Sequence, residues 1–377
     1  MVIRTITKAQ AEAGLEVHVA TTDDDGPGRL DVPGGNPLLD QNVTYWIFRR
    51  QTRFYTFSFP LTSWLHRHIH EYDLVHIHAL FSHACLAASV LAKRAGVPYI
   101  IRPLGTLNQW GMHNRRRWLK RLSFRLIESR MLRNAAGVHY TSEQEEREAR
   151  LLRFPHAGFI IPNPVEVSQE VPHETFRSIH NLGDRPVVLF LSRLDPKKGI
   201  DLLLGAFDRV RTHCQNATLV IAGDGDPAFV RNLKQEAESL GLGAAVLWLG
   251  FVEGQRKRAL LCEADVFVLP SYSENFGVSV VEALGAGLPV IVSDQVGLHR
   301  DIEKAQAGLI VPCRVESLEA ALVQLLTDHA MLRQLGANAS MLAARFSPEI
   351  VISQLTAEYA RICSRRRPVA LEPAVLQ

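Results

Sequence analysis

The stretch Val187-Val-Leu-Phe-Leu-Ser-Arg193-Leu-Asp-Pro-Lys-Lys198-Gly199-Ile-Asp-Leu-Leu-Leu204 decides the reading of the fold. Its opening apolar run is too short for a helix and reads as a strand buried on both faces. A turn containing proline and glycine follows, and then apolar residues at helical spacing. The same sequence of signals recurs on either side. In the second half, strands are predicted at Val187 to Ser192, Thr218 to Ala222, Val246 to Leu249, Val266 to Pro270, Pro289 to Ser293 and Gly308 to Val311. In the first half they are predicted at Glu16 to Thr22, Val43 to Phe48, Leu74 to Ala79, Pro98 to Arg102, Gly137 to Thr141 and Phe159 to Pro162. Strands alternating with helical patterns specify an α/β fold, parallel sheets covered by helices on both faces.

A chain of 377 residues exceeds one hydrophobic core, so two domains are expected. The polar segment from Asn163 to Arg185, with Pro164, Pro172 and Gly183, reads as the linker. The expected division is 1–165, 166–345 and a C-terminal helix at 346–364 that caps its own domain or crosses back to the first. Two Rossmann-like, doubly wound domains with ligand at the carboxyl ends of their strands would face a cleft. The chain reaches its first strand only at Glu16, after a helix-like stretch, so a leading strand and its glycine turn are expected to be missing or to be supplied irregularly.

The composition, 47% hydrophobic and 21% charged, excludes disorder and collagen-like repeats. The five cysteines form no close pair, which fits reduced thiols and disfavours a cysteine zinc site. Neither a membrane-spanning run nor the apolar core of a secretory signal is present, so a cytoplasmic location is expected, with peripheral attachment to the inner face of the membrane as its extension. Residues 1–165 carry 21 Lys and Arg against 14 Asp and Glu. Much of that excess lies in 113–133, where Arg115, Arg116, Arg117, Lys120, Arg121, Arg125, Arg130 and Arg133 are opposed only by Glu128. Trp118, Leu122, Leu126 and neighbouring apolar residues recur there at helical spacing. The stretch reads as a basic helix lying on anionic lipid, or as a solvated helix whose apolar stripe is core. No zinc-finger spacing or RNA-recognition signature accompanies it, so nucleic acid is not an expected partner.

Two constellations carry chemistry. Arg193 and Lys198 lie at the carboxyl end of a predicted strand beside a helix start, a site for phosphate or diphosphate. The plainer reading is a solvated basic turn. After the strand at Val266 comes Ser271-Tyr-Ser-Glu274-Asn275-Phe276-Gly277-Val-Ser-Val-Val-Glu282. Gly277 is expected to begin a helix, leaving the amides of Asn275, Phe276 and Gly277 as outward donors. The carboxylates Glu274 and Glu282 suit vicinal hydroxyls, since each accepts from two at once. Asp224-Gly-Asp226 and Asp23-Asp-Asp25 fit a metal-binding Asp-x-Asp pattern, but Arg193 and Lys198 already supply the charge a metal would bring. No Gly-x-Gly-x-x-Gly follows an early strand, which argues against a nicotinamide dehydrogenase.

These residues resemble the retaining glycosyltransferases of family 4, which have the GT-B fold; the likeness runs from about Glu16 to Tyr359. It implies catalytic roles for Arg193 and Lys198 on the diphosphate and for Glu274 on the donor sugar, with Glu282 on the ribose. It implies donor contacts from Gly223, Asp224 and Gly225 in a glycine loop, from Val252, and from Asn275, Phe276 and Gly277. On the acceptor side the resemblance points to His78, His83, Arg102 and Gly105, with Leu107 and Trp110 in the same loop. Many relatives carry a histidine where Leu104 stands, and His76, His78 and His83 are its substitutes. The implied reaction moves a sugar from a nucleotide-sugar substrate to a glycan or lipid-linked acceptor, with retention and with neither metal nor cofactor. A catalytically impaired sugar-nucleotide-binding relative, a nucleotide-sugar 2-epimerase and a phosphorylase-like enzyme are the alternatives on this architecture.

Overall fold

The structure is a computed structural model that describes residues 2–26, 28–31, 36–108, 117–154, 156–167 and 175–365. It divides into two units, Ile3–Ile161 together with the chain from Ile352 on, and Pro162–Val351.

In the second unit the unbroken apolar runs become the strands β8 (Val187–Leu191), β9 (Thr218–Ala222), β10 (Val246–Gly250), β11 (Val266–Leu269), β12 (Val290–Ser293) and β13 (Gly308–Val311). All neighbours pair in parallel, in the spatial order β10–β9–β8–β11–β12–β13. Numbered within the unit this is the doubly wound dinucleotide-binding order, whose direction reverses between β8 and β11. Val187, Val188, Leu189 and Phe190 have no exposed surface. Each such side chain contributes roughly 1.5–3 kcal/mol by leaving water. Helix α6 (Ile200–Val210) buries Ile200, Leu203, Leu204, Phe207 and Val210, one helical face, against them. Helices α7 (Pro227–Ser239), α8 (Gly254–Glu263), α9 (Val278–Gly285), α10 (His299–Ala305), α11 (Val315–Thr327) and α12 (His329–Ala344) complete the layers. The segment read as a linker also holds a helical turn, Phe176–Ile179, whose Phe176 is buried in this core.

The first unit is built differently. Helix α1 (Val2–Glu12) precedes β1 (Val17–Thr22), which pairs in parallel with β3 (Val43–Phe48); β3 carries the antiparallel edge strand β2 (Leu38–Asp40). A second sheet holds β4 (Val75–His78), β5 (Tyr99–Arg102), β6 (Gly137–Tyr140) and β7 (Gly158–Ile160), all parallel and in that order. Among the described residues no strand joins β1 to β4. Helices α2 (Phe59–His68), α3 (His83–Arg94) and α5 (Glu143–Arg150) start at Ser58, Ser82 and Ser142, whose hydroxyls accept from backbone amides as N-caps. Between β5 and β6 lies α4, an α-helix at Arg117–Ser123 that continues through a π-turn at Phe124–Glu128 into Ser129–Asn134. The final helix α13 (Pro348–Ser364) begins in the second unit and continues in the first. Its buried face is Val351, Ile352, Leu355 and Ile362, and Ile350 is exposed.

Candidate active site

Five loops at the carboxyl ends of the second unit's strands are laced together by backbone contacts. Leu194 N–H donates to Asp224 O at 2.8 Å, Gly223 N–H to Gly250 O at 2.7 Å, and Tyr272 N–H to Lys197 O at 2.8 Å. Glu274 N–H donates to Gln295 O, and Gly297 N–H to Glu274 O. This packing requires glycine at two positions. A Cβ on Gly223, whose φ is +141°, would stand 1.9 Å from Ser192 O; one on Gly199, φ +68°, would stand 2.1 Å from Pro270 O. The second approach brings the loop after β8 against the loop after β11, at the point where strand order reverses.

There Lys198 donates its ammonium to Glu274 Oε2. Both groups are largely buried. Burial raises the Glu274 carboxyl, but the charge and hydrogen bond of Lys198, helped by Lys197 and by the amide of Phe276, hold it below the usual carboxylate range. Burial first, and then the charge of Lys198, push the Lys197 ammonium down. Asp195 caps the short turn that delivers both lysines, accepting from Lys197 N–H at 3.1 Å. Arg193 does not join the pair: its side chain is 67% exposed and stands 3.7 Å from Asp195. Glu282 accepts from Lys257 Nζ at 2.8 Å, a partner on α8 that no sequence signal indicated.

The donor residues expected around this pair divide into two kinds. Gly223 and Gly225 shape the backbone, and Asp224 is exposed on it. Val252 and the Phe276 side chain are core, Phe276 meeting Phe346 edge-on at 5.7 Å between ring centres, while Phe251 is exposed. Gly277 stands where the helix opens. It caps α9 from a φ of +96°, and the amide of Phe276, expected to point outward, donates to Glu274 instead. Asn275 sits half-buried between them. Asp226 is an N-cap, accepting from Ala228 and Phe229 N–H at 3.0 Å. Asp23 accepts from Arg50 N–H and Asp24 pairs with the Arg50 guanidinium. Asp226, Asp23 and Asp24 of the two Asp-x-Asp runs are thus engaged locally while Asp224 and Asp25 are exposed, and among the described residues no group of three His, Cys, Asp or Glu could hold a metal ion.

In the first unit the residues expected on the acceptor side also lie at or after the carboxyl ends of strands. His78 ends β4 and Arg102 ends β5, paired in register. Burial, then Arg102, pushes His78 down to about 3, and its Nδ1 is buried without a partner. Arg102 has no exposed surface, and burial brings it down to about 10. Gly105 N–H donates to Glu145 Oε1 at 2.6 Å; Glu145, buried and not anticipated, also accepts from Thr141. His83 is held in the wall: Nδ1 accepts from Ser58 N–H, Nε2 meets the Thr62 hydroxyl, and the ring lies 4.4 Å from that of Phe57. His76 is further inside, 2.6 Å from the Tyr359 hydroxyl of α13. Ala79, Phe81 and Leu104 adopt positive φ in the loops after β4 and β5, a concentration of backbone strain at one rim. Leu107 is buried; Trp110 and residues 113–116 of the basic stretch lie outside the described residues. Of the remainder, Phe124, Met131 and Leu132 pack into the core, whereas Trp118, Leu122 and Leu126 face outward. No helix among the described residues is long and apolar enough to cross a membrane.

Two family models match consecutive parts of the chain, a glycosyl transferase 4-like domain over residues 1–164 and glycosyl transferases group 1 over residues 172–341. An uncharacterized glycosyltransferase of Methanocaldococcus jannaschii is 37% identical over 153 residues, covering 40% of this chain and 38% of that protein. The phosphatidyl-myo-inositol mannosyltransferase of Mycobacterium leprae is 31% identical over 207 residues, covering 54% of each. The matches thus span about half or less of these relatives' own length. Among solved structures, sucrose-phosphate synthase from Thermosynechococcus elongatus superposes with a TM-score of 0.75 at 24% identity, over 96% of this chain and 92% of that one, a likeness of fold.

Proposed function

Since the chain belongs to the family 4 glycosyltransferases and has their GT-B fold, we propose that it transfers a hexose from a nucleotide-sugar donor to a hydroxyl of a glycan or lipid-linked acceptor. In this reading the second unit takes the donor, the first takes the acceptor, the anomeric configuration is retained, and neither a metal ion nor a cofactor takes part.

The observation that carries the proposal is the meeting of Lys198 with Glu274 at the switch point of a dinucleotide-type sheet. As the bond from the anomeric carbon to the diphosphate oxygen breaks, negative charge grows on the leaving group. Lys198 and Arg193 stabilise it, and a preorganised donor of this kind is typically worth about 2.7–4 kcal/mol. Glu274 accepts from sugar hydroxyls and Glu282 from the ribose, while Gly223, Asp224, Gly225, Asn275 and Gly277 shape the surroundings. The acceptor oxygen attacks from the face the diphosphate leaves, and its proton passes to the departing phosphate oxygen. His78, a neutral imidazole at the end of β4, is suited to line the place where that hydroxyl sits. Arg102, Gly105 and His83 frame the same rim. Helix α4 brings the enzyme to the anionic inner face of the cytoplasmic membrane.

Lys198→Ala and Arg193→Ala test the mechanism. Arg193→Ala is expected to lower transfer by about 10²–10³-fold with unchanged thermal unfolding, and Lys198→Ala by a similar factor with a lowered melting temperature, since it leaves the buried Glu274 carboxylate unpaired. Full activity in either variant, or an inverted anomer in the product by NMR, removes it; inhibition by a chelator removes metal independence.

A further inference from the structure

We infer that the loop 49–59 and helix α4 together form one lipid-docking surface on the acceptor side of the first unit, through which the enzyme reaches an acceptor carried by an anionic bilayer. The second half of this inference rests on the transfer reading above; the first half does not.

The loop, Arg49-Arg-Gln-Thr-Arg53-Phe-Tyr-Thr-Phe57-Ser-Phe59, combines aromatics and arginines and contains no acid. Phe54 is 65% and Phe59 66% exposed, and Arg49 and Arg53 are exposed beside them. Their presentation is built. Tyr55 and Thr56 hold φ values of 59° and 46°, which only firm anchoring sustains in residues with side chains. The Tyr55 carbonyl accepts from His83 N–H at 2.8 Å, and the Ser58 hydroxyl donates to Arg49 O at 2.9 Å, closing the loop.

A third anchor joins this loop to α4. The Tyr55 hydroxyl donates to Glu128 Oε1 in the π-turn, where the Ser123 hydroxyl donates to the same oxygen. Glu128 is the only acid in the described part of the helix, and it is fully buried. The charges left facing outward, Arg121, Arg125 and Arg130, are therefore all positive. Between them Trp118, Leu122 and Leu126, spaced four residues apart, form an outward apolar stripe; Trp118 is 66% exposed. Water favours neither an exposed tryptophan followed by exposed leucines nor exposed phenylalanines in a loop. The boundary of an anionic bilayer accommodates both features, apolar groups at the acyl edge and guanidinium groups among the phosphates. The surface is also continuous with the acceptor rim, because the Phe57 ring lies against His83.

The test is flotation of the full chain with vesicles of phosphatidylcholine alone and of phosphatidylcholine mixed with phosphatidylglycerol. Binding is expected to the mixed vesicles and to weaken with salt. Phe54→Ser with Phe59→Ser, and separately Trp118→Ser with Leu122→Ser, are each expected to weaken it by about tenfold or more, with unchanged melting temperature. Failure to bind mixed vesicles overturns the proposal. So does wild-type flotation by the Phe54/Phe59 variant, or loss of self-association in either variant without loss of vesicle binding, which would mark a protein interface. For the acceptor, the Phe54/Phe59 variant is expected to lose transfer to a vesicle-borne acceptor while keeping transfer to a short water-soluble one. Equal loss on both, or on neither, overturns a bilayer-borne acceptor. Absence of any transfer by the wild type overturns it together with the activity, while vesicle binding still decides the docking surface.

Discussion

Among the described residues the second unit threads its strands into a single six-stranded sheet, whereas the first divides its strands among a three-stranded sheet, a four-stranded sheet and a two-residue hairpin at Asp24–Asp25 and Gly28–Arg29. The interiors differ in kind as well. The central strand β8 of the second unit is apolar throughout, and its charged groups appear only where the strands end. The first unit carries His76, His139 and Arg102 in its strands, His76 bonded to Tyr359 of α13 and His139 to His76 and to the carbonyl of Ile161. An apolar sheet can fix a site by packing alone. A sheet with polar groups inside holds its shape only while every one of them keeps the right protonation and partner.

That contrast can be broken experimentally. Gly223→Ala drives a methyl into Ser192 O and is expected to destabilise the second unit by about 3 kcal/mol. In the first unit Gly96 also has positive φ, +68°, but nothing within 4 Å of a Cβ, so Gly96→Ala should cost only about 1 kcal/mol. Equal losses in thermal unfolding would show that the second unit's loops are less tightly laced than their contacts imply.

Acidification separates the units next. Burial, reinforced by neighbouring cations and imidazoles, holds His76 and His139 well below 6.5 and His78 at about 3. Unfolded imidazoles take up protons as pH falls below 6.5 and the folded ones do not, so their stabilisation is complete above that pH and drains away beneath it. Glu274, held below its ordinary 4.5, starts to lose its contribution only as pH falls past that value. Hydrogen exchange between about pH 6.5 and 4.5 is expected to loosen the first unit before the second. Simultaneous loosening would contradict the assignment of neutral histidines.

Tyr359→Phe removes the hydroxyl bonded to His76 and to the Gln10 amide at 2.9 Å, and should cost about 1–2 kcal/mol, read as a shift in denaturant midpoint. Smallest, Lys257→Ala frees Glu282 of its partner and is expected to change donor affinity only a few-fold, with kcat unaltered. A large fall in kcat would move Lys257 into the reacting centre.

The same contrast explains what was legible in the sequence. Strands such as β8, β9 and β11 are visible because parallel strands covered on both faces read as continuous apolar runs. Strand β2 is not, being a three-residue edge whose Leu38 and Leu39 face solvent. Arg193, Lys198 and Glu274 announce themselves by lying in the loops that follow strands, and Glu282 by standing on the helix that the Glu274 loop opens. Lys257, Glu145 and Tyr359 meet their partners across 25, 40 and 283 residues, a distance over which no local pattern carries information. Helix α4 was ambiguous for another reason: it has two apolar stripes, one inward and one outward, with a π-turn altering the helical repeat along its length.

The contact between Lys198 and Glu274 has a consequence for selectivity. Lys198 and Glu274 balance each other's charge. On the proposed reading, a ligand bringing only a diphosphate would draw Lys198 away and strand a buried carboxylate, and one bringing only hydroxyls would strand the lysine. A nucleotide-sugar, with both halves in one molecule, would satisfy the two sides in a single exchange.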